Sequence, residues 1–111
     1  MNNFRREAIN QLAISRRVQK FNLTDKQYQI ITAIFLLGET DNETLAAKVS
    51  MLKSNLIPSF GIMRRLIEKE FVSFETAENR FEPRSPQKCR KLFRLTKNGE
   101  TALKIILGLT E

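Results

Sequence analysis

The apolar residues of this chain change their spacing near residue 71, and that change limits the folds open to it. Before it they recur every three or four positions, as on one face of a helix. After it, Val72-Ser73-Phe74-Glu75 alternates apolar with polar residues, as a half-buried strand does. Lys91-Leu92-Phe93-Arg94-Leu95-Thr96 does the same, with Phe93 and Leu95 on one face. A long polar stretch that includes Pro83 and Pro86 separates the two runs, so they read as a hairpin with a long tip.

The helical part divides at clear punctuation. Phe4, Ala8, Ile9, Leu12, Ile14 and Val18 mark an amphipathic helix over about residues 3–19, with Arg5, Arg6, Arg16, Arg17 and Lys20 filling much of its other side. Thr24 then stands as an N-cap with Gln27 three residues on, a capping box, and Tyr28, Ile31, Ile34, Phe35 and Leu37 form the next apolar stripe. Gly38 ends that helix. Thr40, Asp41 or Asn42 caps a short third helix near 42–49, with Leu45, Ala46 and Val49 inward. Ser50 to Ser54 forms a turn. A fourth helix starts near Ser54 or Asn55, tolerates Pro58 in its first turn, and runs to about Glu70. Asn98-Gly99 is a turn or the start of a last helix through Ala102, Leu103, Ile106 and Leu107.

The expected fold class is therefore α+β and mostly helical: a winged helix-turn-helix with a two-stranded β-hairpin wing. One domain is expected over residues 1–111, with an N-terminal amphipathic helix at 1–20, the helices that include the helix-turn-helix at 23–70, the wing hairpin at 71–97 and a C-terminal helix at 98–109. A chain of 111 residues with 41% hydrophobic content is large enough to build a single core.

Composition removes several function classes. Histidine is absent, so catalysis by a histidine base is excluded. Cys89 is the one cysteine, which rules out an intrachain disulfide, argues against a structural zinc and suits a reducing cytosol. There is no phosphate-binding glycine loop, metal-ligand cluster or nucleophile-base pair, so no enzyme, metal or cofactor is expected. No apolar run approaches the length of a membrane span, and residues 1–20 lack a signal-peptide core, so a cytoplasmic location is expected. Lys and Arg total 19 against 12 acids, a formal charge of +7, which suggests a polyanionic partner, the alternative being that it only aids solubility.

The pattern Leu23-Thr24-x-x-Gln27-Tyr28, then Leu45-Ala46, then Leu66-x-x-x-x-Phe71-Val72, then Leu95-Thr96-Lys97-x-Gly99 resembles the MarR family of winged-helix regulators over about residues 20–108. The resemblance implies duplex-DNA binding through the second helix of the helix-turn-helix and the wing, and dimers built from terminal helices. The chain departs from the family pattern in places. Glu70 stands where a glycine is usual, and Gln87-Lys88-Cys89 stands where an Asp-x-Arg is usual. The turn before the fourth helix and the wing are both longer, and the C-terminal helix is short.

Residues at the start of a recognition helix reach base edges in the major groove. That makes Lys53, Ser54, Asn55, Ser59, Phe60 and Arg64 the candidate groove contacts. Ser54 and Asn55 compete for a role as helix caps, and Phe60 for a place in the core. Arg65 has the alternative of pairing with Glu68, and Gly61 reads as a mid-helix glycine. From Pro83 to Gly99 there are six bases, Arg84, Lys88, Arg90, Lys91, Arg94 and Lys97, and no acid. Of these, Arg84, Lys88, Arg90 and Lys91 are the candidate phosphate contacts; the alternative is an edge strand protected by charge. Phe4, Ile9, Leu12 and Ile105 are candidates for a dimer interface. Cys89 lies among bases that would lower its pKa, which allows a redox role, but it has no resolving partner.

The function expected from these features is sequence-specific binding of double-stranded DNA in transcription regulation, as a repressor and in a homodimer. Two other readings remain open: a protein-interaction winged-helix module with a protein partner, and a DNA-binding accessory factor of a mobile element in replication or recombination. A membrane role is not expected.

Overall fold

The computed structural model describes residues 2–58, 61–77 and 90–109. In chain order the elements are α1 (Asn2–Lys20), α2 (Asp25–Leu37), β1 (Thr40–Asp41), α3 (Asn42–Val49), a 3-10 turn (Lys53–Leu56), α4 (Gly61–Glu68), β2 (Val72–Ala77), β3 (Arg90–Leu95) and α5 (Lys97–Leu107). The strands form one antiparallel sheet in the order β1-β3-β2. No helix among the described residues is long and apolar enough to cross a membrane.

α2 is the spine of the body. Its start is fixed by the capping box: Gln27 N–H donates to Thr24 Oγ1 at 3.1 Å, and Thr24 N–H donates back to Gln27 Oε1 at 2.9 Å. Ile30, Ile31 and Ile34 are fully buried among Leu45 of α3, Met63 and Leu66 of α4, Phe93 of β3 and Ile106 of α5. Phe35 and Leu37, which sequence spacing places in the same stripe, are left exposed. α3 begins at Asp41, whose Oδ1 accepts the Thr44 N–H at 2.7 Å, and ends at Ser50 in the left-handed conformation.

Two elements differ from expectation. Thr40-Asp41 is a third strand of the sheet, with Thr40 opposite Phe93 and Asp41 opposite Leu92. Two residues are too short to alternate visibly, and Asp41 also carries the N-cap, which is the stronger local signal. The expected continuous fourth helix is instead a 3-10 turn, a bend at Pro58, and the eight-residue α4. Ser54 and Asn55 therefore lie inside the turn rather than capping a helix, and the Asn55 N–H donates to the Leu52 carbonyl. Gly61 is the first residue of α4, with φ +55°, not a mid-helix position.

The link from α4 to the sheet passes through Glu70 at φ +62°. Left-handed backbone is costly for a residue with a Cβ, which accounts for glycine being usual at this place in the family that the chain resembles. The Phe71 N–H donates to the Leu66 carbonyl, and Thr96 N–H donates to the Phe71 carbonyl, so the corner is pinned from both sides. Thr96 caps α5 by accepting the Gly99 N–H at 3.0 Å. A Cβ on Gly99 would lie 2.1 Å from the Phe71 carbonyl oxygen, so this approach requires glycine.

Candidate nucleic-acid interface

α3, the 3-10 turn and α4 make up the helix-turn-helix. Leu56 in the turn and Met63 and Leu66 in α4 are fully buried, so the opposite side of this segment faces outward. Ser54 and Asn55 are exposed there, flanked by exposed Leu52 and Ile57. Lys53 belongs to the same turn by its backbone. Arg64 and Arg65 are exposed on α4. It is Arg64, not Arg65, that pairs with Glu68, at 2.9 Å. An exposed pair one helical turn apart contributes only about 0.3–0.5 kcal/mol, too little to withhold Arg64 from a phosphate. Ser59 and Phe60 lie outside the described residues.

The wing is β2 paired with β3, from Val72 opposite Leu95 at its root to Ala77 opposite Arg90. Alternation puts Val72, Phe74 and Thr76 on one side with Leu95, Phe93 and Lys91, and Phe93 anchors that side in the core. Phe74 packs on Phe93 with ring centroids 6.4 Å apart. The six bases counted along the sequence do not act alike. Arg90 is placed at the last described pair of the hairpin. Lys91 is half-buried, with Nζ donating to Thr76 Oγ1 at 2.9 Å. Arg94 pairs with the Glu39 carboxylate. Lys97 is the first residue of α5 and is exposed. Arg84, Lys88 and Cys89 lie outside the described residues.

Sequence reasoning did not find the Glu39–Arg94 pair. The partners stand 55 positions apart, and no local pattern links them. The strand that brings them together has only two residues.

The candidate dimer residues occupy a distinct part of the molecule. Phe4, Ile9 and Leu12 on α1 are 81%, 59% and 54% exposed. The chain's own body covers only the other end of α1, where Val18 is buried and Ile14 packs against the core. Arg17 Nη1 donates to the Ile106 carbonyl at 3.1 Å and ties that end to α5. Ile105 is 38% exposed on α5.

No protein-family model and no curated protein matches the chain. Solved structures do. MepR of S. aureus in complex with DNA superposes with a TM-score of 0.70 at 13% identity, over 98% of this chain and 82% of that one. NadR in complex with 4-hydroxyphenylacetate gives 0.66 at 24% identity, over 95% and 67%. A MarR variant from E. coli complexed with operator DNA gives 0.66 at 17% identity, over 93% and 66%. The chain has the MarR-type winged-helix fold. It spans about two thirds of the length of NadR and of MarR. Within the MarR-type fold, α3, the 3-10 turn and α4 form the helix-turn-helix, and β2 and β3 form the wing.

Proposed function

We propose that this chain is a regulator of transcription that binds double-stranded DNA as a homodimer and acts as a repressor in the cytoplasm. The observation that carries the reading is the outward face of the helix-turn-helix. It presents Ser54 and Asn55 with Arg64 and Arg65 beyond them, next to a wing whose second strand starts with Arg90 and Lys91. The superposition on MepR, a protein solved with DNA, over nearly the whole chain supports it.

In this reading Ser54 and Asn55 read base edges, since Asn pairs with adenine in a bidentate manner and Ser accepts or donates to either base or phosphate. Lys53, Ser59, Phe60 and Arg64 extend the contact along the groove. Arg84, Lys88, Arg90 and Lys91 neutralise phosphates from the wing, and each phosphate neutralised releases counterions, so affinity falls steeply with salt. The dimer forms through Phe4, Ile9, Leu12 and Ile105, whose apolar side chains the chain itself leaves uncovered. A two-fold protein then meets a two-fold operator with half-sites about one helical turn apart.

The test is selection from random duplexes with the purified protein at moderate salt, followed by a salt titration on the selected sequence. A palindromic consensus with a steep salt slope is expected. Absence of duplex binding even at low salt would sink the reading.

A second reading has its own observation. Leu52, 70% exposed, and Ile57 flank Ser54 and Asn55 on the outward face, and such apolar side chains suit a protein partner better than a phosphate backbone. Reversing the charges of Arg90 and Lys91 separates the two: DNA binding is lost, while a protein partner docked on Leu52 and Ile57 stays bound.

A further inference from the structure

We infer that the Glu39–Arg94 ion pair is a positioning device that sets the wing against the helix-turn-helix, rather than part of the phosphate-binding charge. The inference rests on the DNA-binding reading above.

Three connections meet at one place. Glu39 and Arg94 pair directly. Immediately next to Glu39, Thr40 and Asp41 are in register with Phe93 and Leu92 of the wing. Asp41 in turn caps α3, the first helix of the helix-turn-helix, through the Thr44 N–H. The wing's second strand and the start of α3 are thus joined by two strand pairs and a charge pair within three consecutive residues. On its other edge β3 pairs with β2, the first strand of the wing.

The location of Arg94 argues against a phosphate role. It sits opposite Ser73, one pair from the wing root, and four residues from Arg90 along β3. At about 3.4 Å per residue, that places it about 14 Å back from the last described pair of the wing. Its partner Glu39 adjoins a segment held in register with β3, whereas Glu68 shares a helix with Arg64, so of these two pairs Glu39–Arg94 alone bridges two elements. The pair is also largely solvent-exposed, with side chains 64% and 37% accessible. Exposed pairs add little to global stability, so what this one supplies is direction.

The two roles predict opposite signs. If Glu39 served only as an acid near DNA, Glu39→Gln would relieve repulsion and tighten binding. As a positioning residue, its loss loosens the wing and weakens binding to the selected duplex, by about threefold on the scale of an exposed ion pair. Affinity for a random duplex stays level or rises, because the net charge becomes more positive. The exchanged pair Glu39→Arg with Arg94→Glu restores selective binding, and none of these variants shifts the melting temperature appreciably.

Amide hydrogen exchange tests the clamp without DNA. Glu39→Gln is expected to speed exchange at Thr40, Asp41, Leu92 and Phe93, and to leave Ala102 to Ile106 of α5 unchanged. Unchanged exchange in the strands, tighter binding of the selected duplex by Glu39→Gln, or an exchanged pair no better than the single variants would each overturn the inference. A native protein that binds no duplex overturns the DNA reading and with it the consequence for recognition, while the exchange result still decides whether the clamp exists.

Discussion

α1 and α2 carry similar apolar stripes at helical spacing, yet the first is bare over most of its length and the second is covered at its centre. In α2, Ile30, Ile31 and Ile34 are wholly buried by four other elements. In α1, Phe4, Ile9 and Leu12 face solvent, and only from Ile14 onward does the helix meet its own domain. Periodicity reports that a helix has an apolar face; it does not report which molecule that face belongs against. A stripe without an intrachain partner is a surface patch of the kind that marks an interface.

The largest effect that would break this contrast is expected in α2. Ile31→Ala removes side-chain volume from a site with no solvent access, and a loss of about 2–5 kcal/mol in chemical denaturation is expected. A loss below 1 kcal/mol would mean that α2 is not the spine described. Next, Thr24→Ala removes the capping box at the start of α2 and is expected to lower stability by about 1 kcal/mol, read from the denaturation midpoint. In α1, Leu12→Ser is expected to change the stability of the isolated chain by less than about 0.5 kcal/mol. The same substitution should shift the sedimentation of the proposed dimer toward monomer. Equal destabilisation by Leu12→Ser and Ile31→Ala would erase the distinction between the two helices. An effect of the opposite sign is expected at the corner after α4. Glu70→Gly relieves a left-handed backbone at a cost of about 1–2 kcal/mol, but adds about 0.4–1 kcal/mol of unfolded-chain entropy. A net stabilisation of a few tenths of a kcal/mol to about 1 kcal/mol is expected from the melting curve.

Much of the fold was legible because its signals are local. The Thr24–Gln27 capping box, the Gly38 stop and the change to alternation at Val72 each act within a few residues, and each is found in the structure. The Leu95-Thr96-x-x-Gly99 element is legible for a steric reason: Thr96 caps α5, and the Phe71 carbonyl leaves no room for a side chain at residue 99. The break between the 3-10 turn and α4 was not legible, because Leu56, Met63 and Leu66 keep a helix-like spacing across it. Nor was β1, where a two-residue pairing depends on where β3 arrives rather than on the strand's own composition. The candidate site was read as a set of bases, and their division into Arg94 held by Glu39 and the others follows from contacts across 55 residues of chain.

The hydrogen bond from Arg17 to the Ile106 carbonyl has a mechanical consequence. It fastens α1 to α5 near one end only, so the free residues of α1 form a lever. The stretch from Phe4 to Ile14 gives an arm of about 15 Å at the helical rise, and a tilt of about 10° about the packed end moves its tip by about 3 Å. If a second copy grips the free end, as proposed above, a small change of tilt becomes a change in the distance between two recognition surfaces. Spacing on the duplex would then be set by how the packed end of α1 is seated as much as by any residue that touches a base.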